Sequence, residues 1–253
     1  MRRKIFILVL VLLLFIPALV QAKDTIRAVD ILNRIKKGEN ILIEDAIIKG
    51  ELDFTLAAEM EKNFEYNDTY YYEGYINSRI SFVNCEIENT IIFNSYEGRN
   101  SFSVIFTRAI SFNNCEIAGI KCSSCDFTGG IYISDCEITK SVSFSNTEFY
   151  NYRFYFTKFL KEVRFYSCEF FIFENYNGMS SGFAGSTFKD NTEFDYCTVY
   201  DKFNFRYADF EVEPVFTGIT FEDNAKADFT GATLNGEPFD PFNDDEEEEE
   251  GEE

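Results

Sequence analysis

From Ala109 to Phe127 the chain reads AISFNNCEIAGIKCSSCDF, and from here large apolar residues return every five or six positions: Phe112, Ile117, Cys122, Phe127, Ile133, Ile138, Phe144, Phe149, Phe154, Phe159, Phe165 and Phe170. Two positions before many of them stands a small residue (Cys115, Cys125, Cys136, Thr147, Cys168), and between the two stands an acid (Glu116, Asp126, Glu137, Glu148, Glu169). Small inward, charged outward, large inward is the grammar of a repeat protein in which each turn packs only on its neighbours. Equivalent units recur from Cys115 to Cys136 and from Thr147 to Cys168, so one coil takes 21 residues.

Upstream, Ile41 to Phe54 alternates apolar and charged positions and starts the first coil. Before it, residues 23–40 predict a short helix capped by Thr25, with Ala28, Ile31, Leu32 and Ile35 on one face and Gly38 as its stop, serving as a lid on the open end of the solenoid. Three stretches break the grammar and predict loop insertions near 57–78, 95–101 and 171–182. Phe183 to Phe210 resumes it, Phe221, Phe229 and Leu234 close it, and Pro238 and Pro241 end strand stacking because they lack a donor. The repeat body is therefore 41–239, followed by a disordered acidic tail over 240–253.

Thirty phenylalanines and no tryptophan suit a ladder of stacked rings, each worth on the order of 1.5 to 3 kcal/mol when buried. Residues 1–22 stand apart: Arg2, Arg3 and Lys4 precede an apolar run, and Val20 and Ala22 mark a cleavage site before Lys23. This predicts a signal peptide and a secreted or cell-surface protein, with an uncleaved membrane anchor as the alternative. The formal net charge of -21 excludes direct nucleic-acid binding and suits solubility, cation binding or a basic partner. Six of the seven cysteines (Cys85, Cys115, Cys125, Cys136, Cys168, Cys197) occupy the small inward position, which predicts packed thiols rather than bridges. Cys122 and Cys125 form a lone C-x-x-C, and a chain without histidine offers neither a zinc set nor a Ser-His or Cys-His nucleophile.

Ala208-Asp209-Phe210 and Ala227-Asp228-Phe229 are the most literal copies of a small residue, an acid and a large residue. Through them and the many looser copies over 41–239, the chain resembles the pentapeptide-repeat family. The resemblance implies an all-β fold, a right-handed quadrilateral β-helix with one five-residue unit per side. It also implies a role known in that family, the imitation of duplex DNA toward a topoisomerase such as gyrase. Six-residue steps such as Phe127 to Ile133 depart from the pattern and predict corner bulges.

Chemistry has three candidate places. Asp126, Glu148 and Glu169 fall in one outward column, a carboxylate ladder that could hold Ca²⁺ between coils. The insertion at 57–78 carries Tyr66 besides Tyr70, Tyr71, Tyr72 and Tyr75, and the last four are the rigid rings suited to partner binding. Asn67-Asp68-Thr69 is a glycosylation sequon. The function read from all this is a non-catalytic exported scaffold that binds a protein or a cell-envelope polymer outside the cytoplasm and is able to pair end to end with a second copy. Its alternatives are the DNA mimic and a β-helix polysaccharide-active enzyme using paired acids.

Overall fold

The structure, a computed structural model, describes residues 23–171, 181–222 and 225–242. It is a four-sided parallel β-helix. The first side stacks strands Ile41–Glu44, Ile80–Val83, Ile110–Asn113, Ile131–Ser134 and Tyr152–Tyr155. The second carries Ala46–Lys49, Glu86–Ile87, Glu116–Ile117, Glu137–Ile138 and their successors, and the third runs from Ile91–Ile92 to Thr192–Asp195. The fourth descends through Thr69–Ile76, Asn100–Phe106, Asp126–Phe127, Glu148–Phe149 and Glu169–Phe170 to Thr220–Phe221. Register on the first side pairs Ile110 with Ile131 and Ile131 with Tyr152, which gives the expected coil of 21 residues.

The bore is filled by rings that repeat at the coil rise of about 4.8 Å. On the third side Phe144, Phe165, Phe194 and Phe216 stack with centroids 5.2, 5.0 and 5.4 Å apart. On the fourth, Phe106, Phe127, Phe149 and Phe170 do the same at 5.4, 5.6 and 5.1 Å. Rings of neighbouring ladders meet edge to face, as Phe144 does with Phe149 at 71°, an arrangement that sets a positive ring edge on a negative face.

Two corners, those leading into the second and fourth sides, turn through one residue in the left-handed conformation. In the earlier coils these are short polar residues: Asp45, Asn84, Asn114 and Asp135 at one corner, Ser124, Asn146 and Ser167 at the other. The small inward residue follows directly, and its side chain donates to the carbonyl two residues back. Cys85 does so to Val83, Cys115 to Asn113, Cys136 to Ser134, Thr147 to Ser145 and Thr157 to Tyr155. Cys and Thr therefore exchange there, both small and with a hydrogen to give, while Ala46 and Ala208 fill the same position by size alone. The six-residue steps fall at the other two corners, as Phe127 to Ile133 does through Gly129 and Gly130.

Several expectations are corrected. The helix α1 spans only Ala28–Lys36, with Arg27 and not Thr25 at its N-cap, because Asp24–Arg27 pairs in parallel with Ala46–Lys49 and extends the second side by one coil. Its stripe of Ala28, Ile31, Leu32 and Ile35 is buried, and Gly38 follows with φ +77°. Cys122 and Cys125 are not separate thiols: their sulfurs lie within bonding reach across the corner into the fourth side, with Cα atoms 6.3 Å apart. The other five cysteines are free and buried. The body does not stop at Phe239, since Phe242 packs on Phe216 and Phe221 at the C-terminal end. The predicted leader, residues 172–180 of the third insertion and the run of acids after Phe242 lie outside the described residues.

In the later coils the left-handed corner is taken by bulky Phe156, Tyr196 and Tyr207, with φ of 50°, 54° and 58°. A large side chain there costs about 1 to 2 kcal/mol. Each ring covers a glycine at the same corner one coil on: Phe156 over Gly185, Tyr196 over Gly218 and Tyr207 over Gly231. A Cβ on Gly185 would come 2.5 Å from the Phe156 ring, and Gly185 itself has φ +66°. Gly185→Ala is therefore expected to destabilise the chain by about 1 to 3 kcal/mol in denaturant unfolding. Adding Phe156→Ala removes the clash, so the double variant is expected to lose less than the sum of the two single losses.

Candidate binding surface

The first two insertions enter at the same corner, between the third and fourth sides. The step that takes Phe144 to Phe149 in a regular coil here takes Phe54 to Ile76 and Phe93 to Phe106. Because both sit at one corner of consecutive coils, they stack. Neither is a loop: Met60–Tyr66 runs antiparallel to Thr69–Ile76, and Asn94–Glu97 antiparallel to Asn100–Phe106. The inner strands pair in parallel over seven residues, Asn100 with Tyr70 through Phe106 with Ile76. The result is a four-stranded flap that continues the fourth side beyond the bore. A two-residue turn closes its first hairpin, with Asn67 at φ 48° and Asp68 at φ 59°, the left-handed pair a tight hairpin requires. The sequon asparagine is thus at the exposed tip, where Asp68 lies 3.5 Å from Arg99 of the second hairpin.

Strand alternation splits the four tyrosines. Tyr70 and Tyr72 share one face of the flap with Lys62 and Phe102: the Lys62 ammonium sits 4.2 Å from the Tyr70 centroid, and Tyr72 stacks on Phe102 at 5.0 Å. Tyr71 and Tyr75 belong to the opposite face. There the registers add Phe64 opposite Tyr71, Tyr66 opposite Thr69, Glu61 opposite Glu73, and Tyr96 opposite Ser101. Phe64 and Tyr71 stack at 4.4 Å. This face is open to water, with Phe64, Tyr66, Tyr75 and Tyr96 exposed by 49, 63, 55 and 60%. Phe64 and Tyr96 were not singled out from the sequence, although EKNFEY and TYYYEGY alternate about the Asn67-Asp68 turn and so signal a hairpin. The edge strand Met60–Tyr66 is guarded by Glu61, Lys62 and Glu65 and by a bulge between Lys62 and Phe64, devices that discourage pairing with another chain.

The same face runs on into the carboxylate column. Tyr75 is in register with Ile105, Ile105 with Asp126, Asp126 with Glu148 and Glu148 with Glu169. Asp126, Glu148 and Glu169 thus form the expected column, and they share one surface with Tyr75. Asp126 Oδ1 is buried without a hydrogen-bond partner, and burial, then the charges of Glu148 and Glu73, push its carboxyl up to about 6. Beside the column, Tyr150, Phe171 and Tyr200 stack at 4.8 and 4.3 Å. The Tyr150 hydroxyl donates to Glu148 at 2.8 Å and that of Tyr200 to Glu169 at 3.2 Å. The bond to Glu148 raises Tyr150 to about 12.

Among the described residues no group of three or more His, Cys, Asp or Glu side chains is placed to hold a metal ion. The second side carries another acid column, Glu86, Glu116 and Glu137, which Lys158 interrupts. It was legible in the same CEI units that define the coil. No helix of the described residues is long and apolar enough to cross a membrane. Comparison of the chain with protein-family models, curated proteins and solved structures finds no match.

The Asp126 carboxyl has a folded pKa above its unfolded value, so the folded state holds its proton longer and loses stability as pH rises from about 4 to about 6. Asp126→Asn is expected to raise the melting temperature at pH 7 and to flatten its pH dependence over that window. Melting curves of the two chains between pH 4 and 7 check this.

Proposed function

We propose that this chain is an exported, non-catalytic β-solenoid of the pentapeptide-repeat type that binds a partner outside the cytoplasm, a protein or a cell-envelope polymer, through the flap and the fourth side. The observation that carries this reading is the continuity of the exposed rings of Phe64, Tyr66, Tyr75 and Tyr96 with the column of Asp126, Glu148 and Glu169 on one rigid sheet. Tyrosine suits such a surface because it offers a large ring and a hydroxyl at small entropic cost. Regular columns of acids do not separate one general acid from one general base, which leaves the polysaccharide-active enzyme unsupported. Acidity favours a DNA mimic, but the leader over residues 1–22 directs the chain away from cytoplasmic targets.

Protease shaving of intact producing cells, with the mature N-terminus read by mass spectrometry, tests the location. An accessible chain beginning at Lys23 is expected, whereas a protected chain beginning at Met1 would favour the DNA mimic. In the same cells, joint replacement of Tyr66, Tyr75 and Tyr96 by Ser is expected to release the chain from the surface without changing its melting temperature. Unchanged retention would remove the flap from the function.

A further inference from the structure

We propose that the partner of the flap is a lysine- and arginine-rich polypeptide segment, whose cations seat over the exposed tyrosine rings and pair with Glu61, Glu73 and the column below them. This rests on the binding reading above and gives its partner a chemistry.

The two faces of the flap differ in one respect that decides the matter. The face bearing Tyr70 has its own cation, Lys62, 4.2 Å from the ring centroid. On the exposed face the registers place Phe64, Tyr66, Tyr71, Tyr75, Tyr96, Glu61 and Glu73, and its strands supply no lysine or arginine; Lys36 and Lys37, at the end of α1, line a cavity with Glu61 and Tyr75 but sit over no ring. Arg99, at the neighbouring tip, is engaged with Asp68. Cation over tyrosine is the habit of this surface elsewhere, with Arg153 over Tyr132, Arg164 over Tyr166 and Arg206 over Tyr207 at 5.4, 5.4 and 5.6 Å. Among the described residues, no cation covers Tyr66, Tyr75 or Tyr96. A ring face carries negative potential, and flanking carboxylates deepen it, so these rings are vacant seats for ammonium or guanidinium groups. Between Tyr71 and Tyr96 the register sets Ser101, short and buried, so the two rings flank a position that carries no ring of its own. The formal charge of -21 draws such a segment in and repels anionic polymers.

The test is calorimetric titration of the full mature chain with short oligo-arginine and oligo-lysine peptides, with oligo-glutamate as control. Both cationic peptides are expected to bind, more weakly as salt rises. Joint Tyr66→Leu, Tyr75→Leu and Tyr96→Leu substitution keeps charge and apolar bulk but removes most of the ring potential, and is expected to weaken binding about tenfold or more. Glu61→Gln with Glu73→Gln is expected to lower affinity and its salt dependence, with melting curves confirming the fold of every variant. Replacing Glu246 to Glu250 by Gln is expected to leave binding unchanged. Failure of both cationic peptides to bind overturns the proposal. So does a leucine variant that binds like the native chain, or a loss that follows the tail, since attraction would then be Coulombic and without a seat. If the peptides fail while serine substitution still releases the chain from cells, the flap binds a partner of another chemistry; if retention is also indifferent, the binding reading falls with it.

Discussion

Every inward side chain in the described coils must sit about 4.8 Å from the one on the next coil, because the backbone hydrogen bonds of a parallel β-helix fix the rise between coils. That constraint selects the side chains. A flat ring satisfies it by stacking, which is why Phe154, Phe183, Phe205 and Phe229 follow one another at 5.0, 5.1 and 4.8 Å. It also fixes the corners, since a turn made in one coil must be superimposable on the next. Where the corner residue grows from Asn or Asp to Phe156 or Tyr207, the coil below answers with Gly185 or Gly231. An intrinsic backbone cost is accepted locally and compensated by contact across the coil interface, so a residue and its neighbour one coil on form the unit of stability rather than either alone.

The same constraint explains the flap. An insertion in a single coil would project alone into water, with unpaired backbone along both strands. Two insertions at one corner of adjacent coils pair with each other, and the seven-residue register between Asn100–Phe106 and Thr69–Ile76 turns both into sheet. The frame thereby fixes the placement of Phe64, Tyr66, Tyr75 and Tyr96 relative to Asp126, Glu148 and Glu169. Ring and carboxylate positions are held by ladder hydrogen bonds instead of by loop conformation, which lowers the ordering cost of the proposed binding.

Much of this was legible in the residues. The ladder positions from Phe112 to Phe170, the coil of 21 residues and the alignment of Asp126 with Glu148 and Glu169 all follow from spacing, because the grammar is local and repeated. What escaped depends on contacts between coils. The pairing of Phe156 with Gly185 spans a coil that contains an insertion, so its spacing differs from the regular repeat. The stacked hairpins required knowing that two insertions of unequal length enter at the same corner. The division of Tyr70 and Tyr72 from Tyr71 and Tyr75 is a matter of strand parity, invisible once the stretch is taken for a loop. Strand Asp24–Arg27 was hidden by a sequence that also suits the first turn of a helix.

The two insertions form one sheet continuous with the solenoid, and the proposed binding surface depends on that continuity. Hydrogen exchange of the intact mature chain, resolved to peptides by mass spectrometry, addresses it most directly. Amides of Tyr71 to Tyr75 and of Phe102 to Phe106 are expected to exchange slowly, approaching the protection of coil strands such as Val142–Ser145, with fast exchange only at the Asn67-Asp68 turn and the edge strand. Exchange at loop rates throughout both insertions would contradict it, for the rings would then lack the frame that sets them beside the acids.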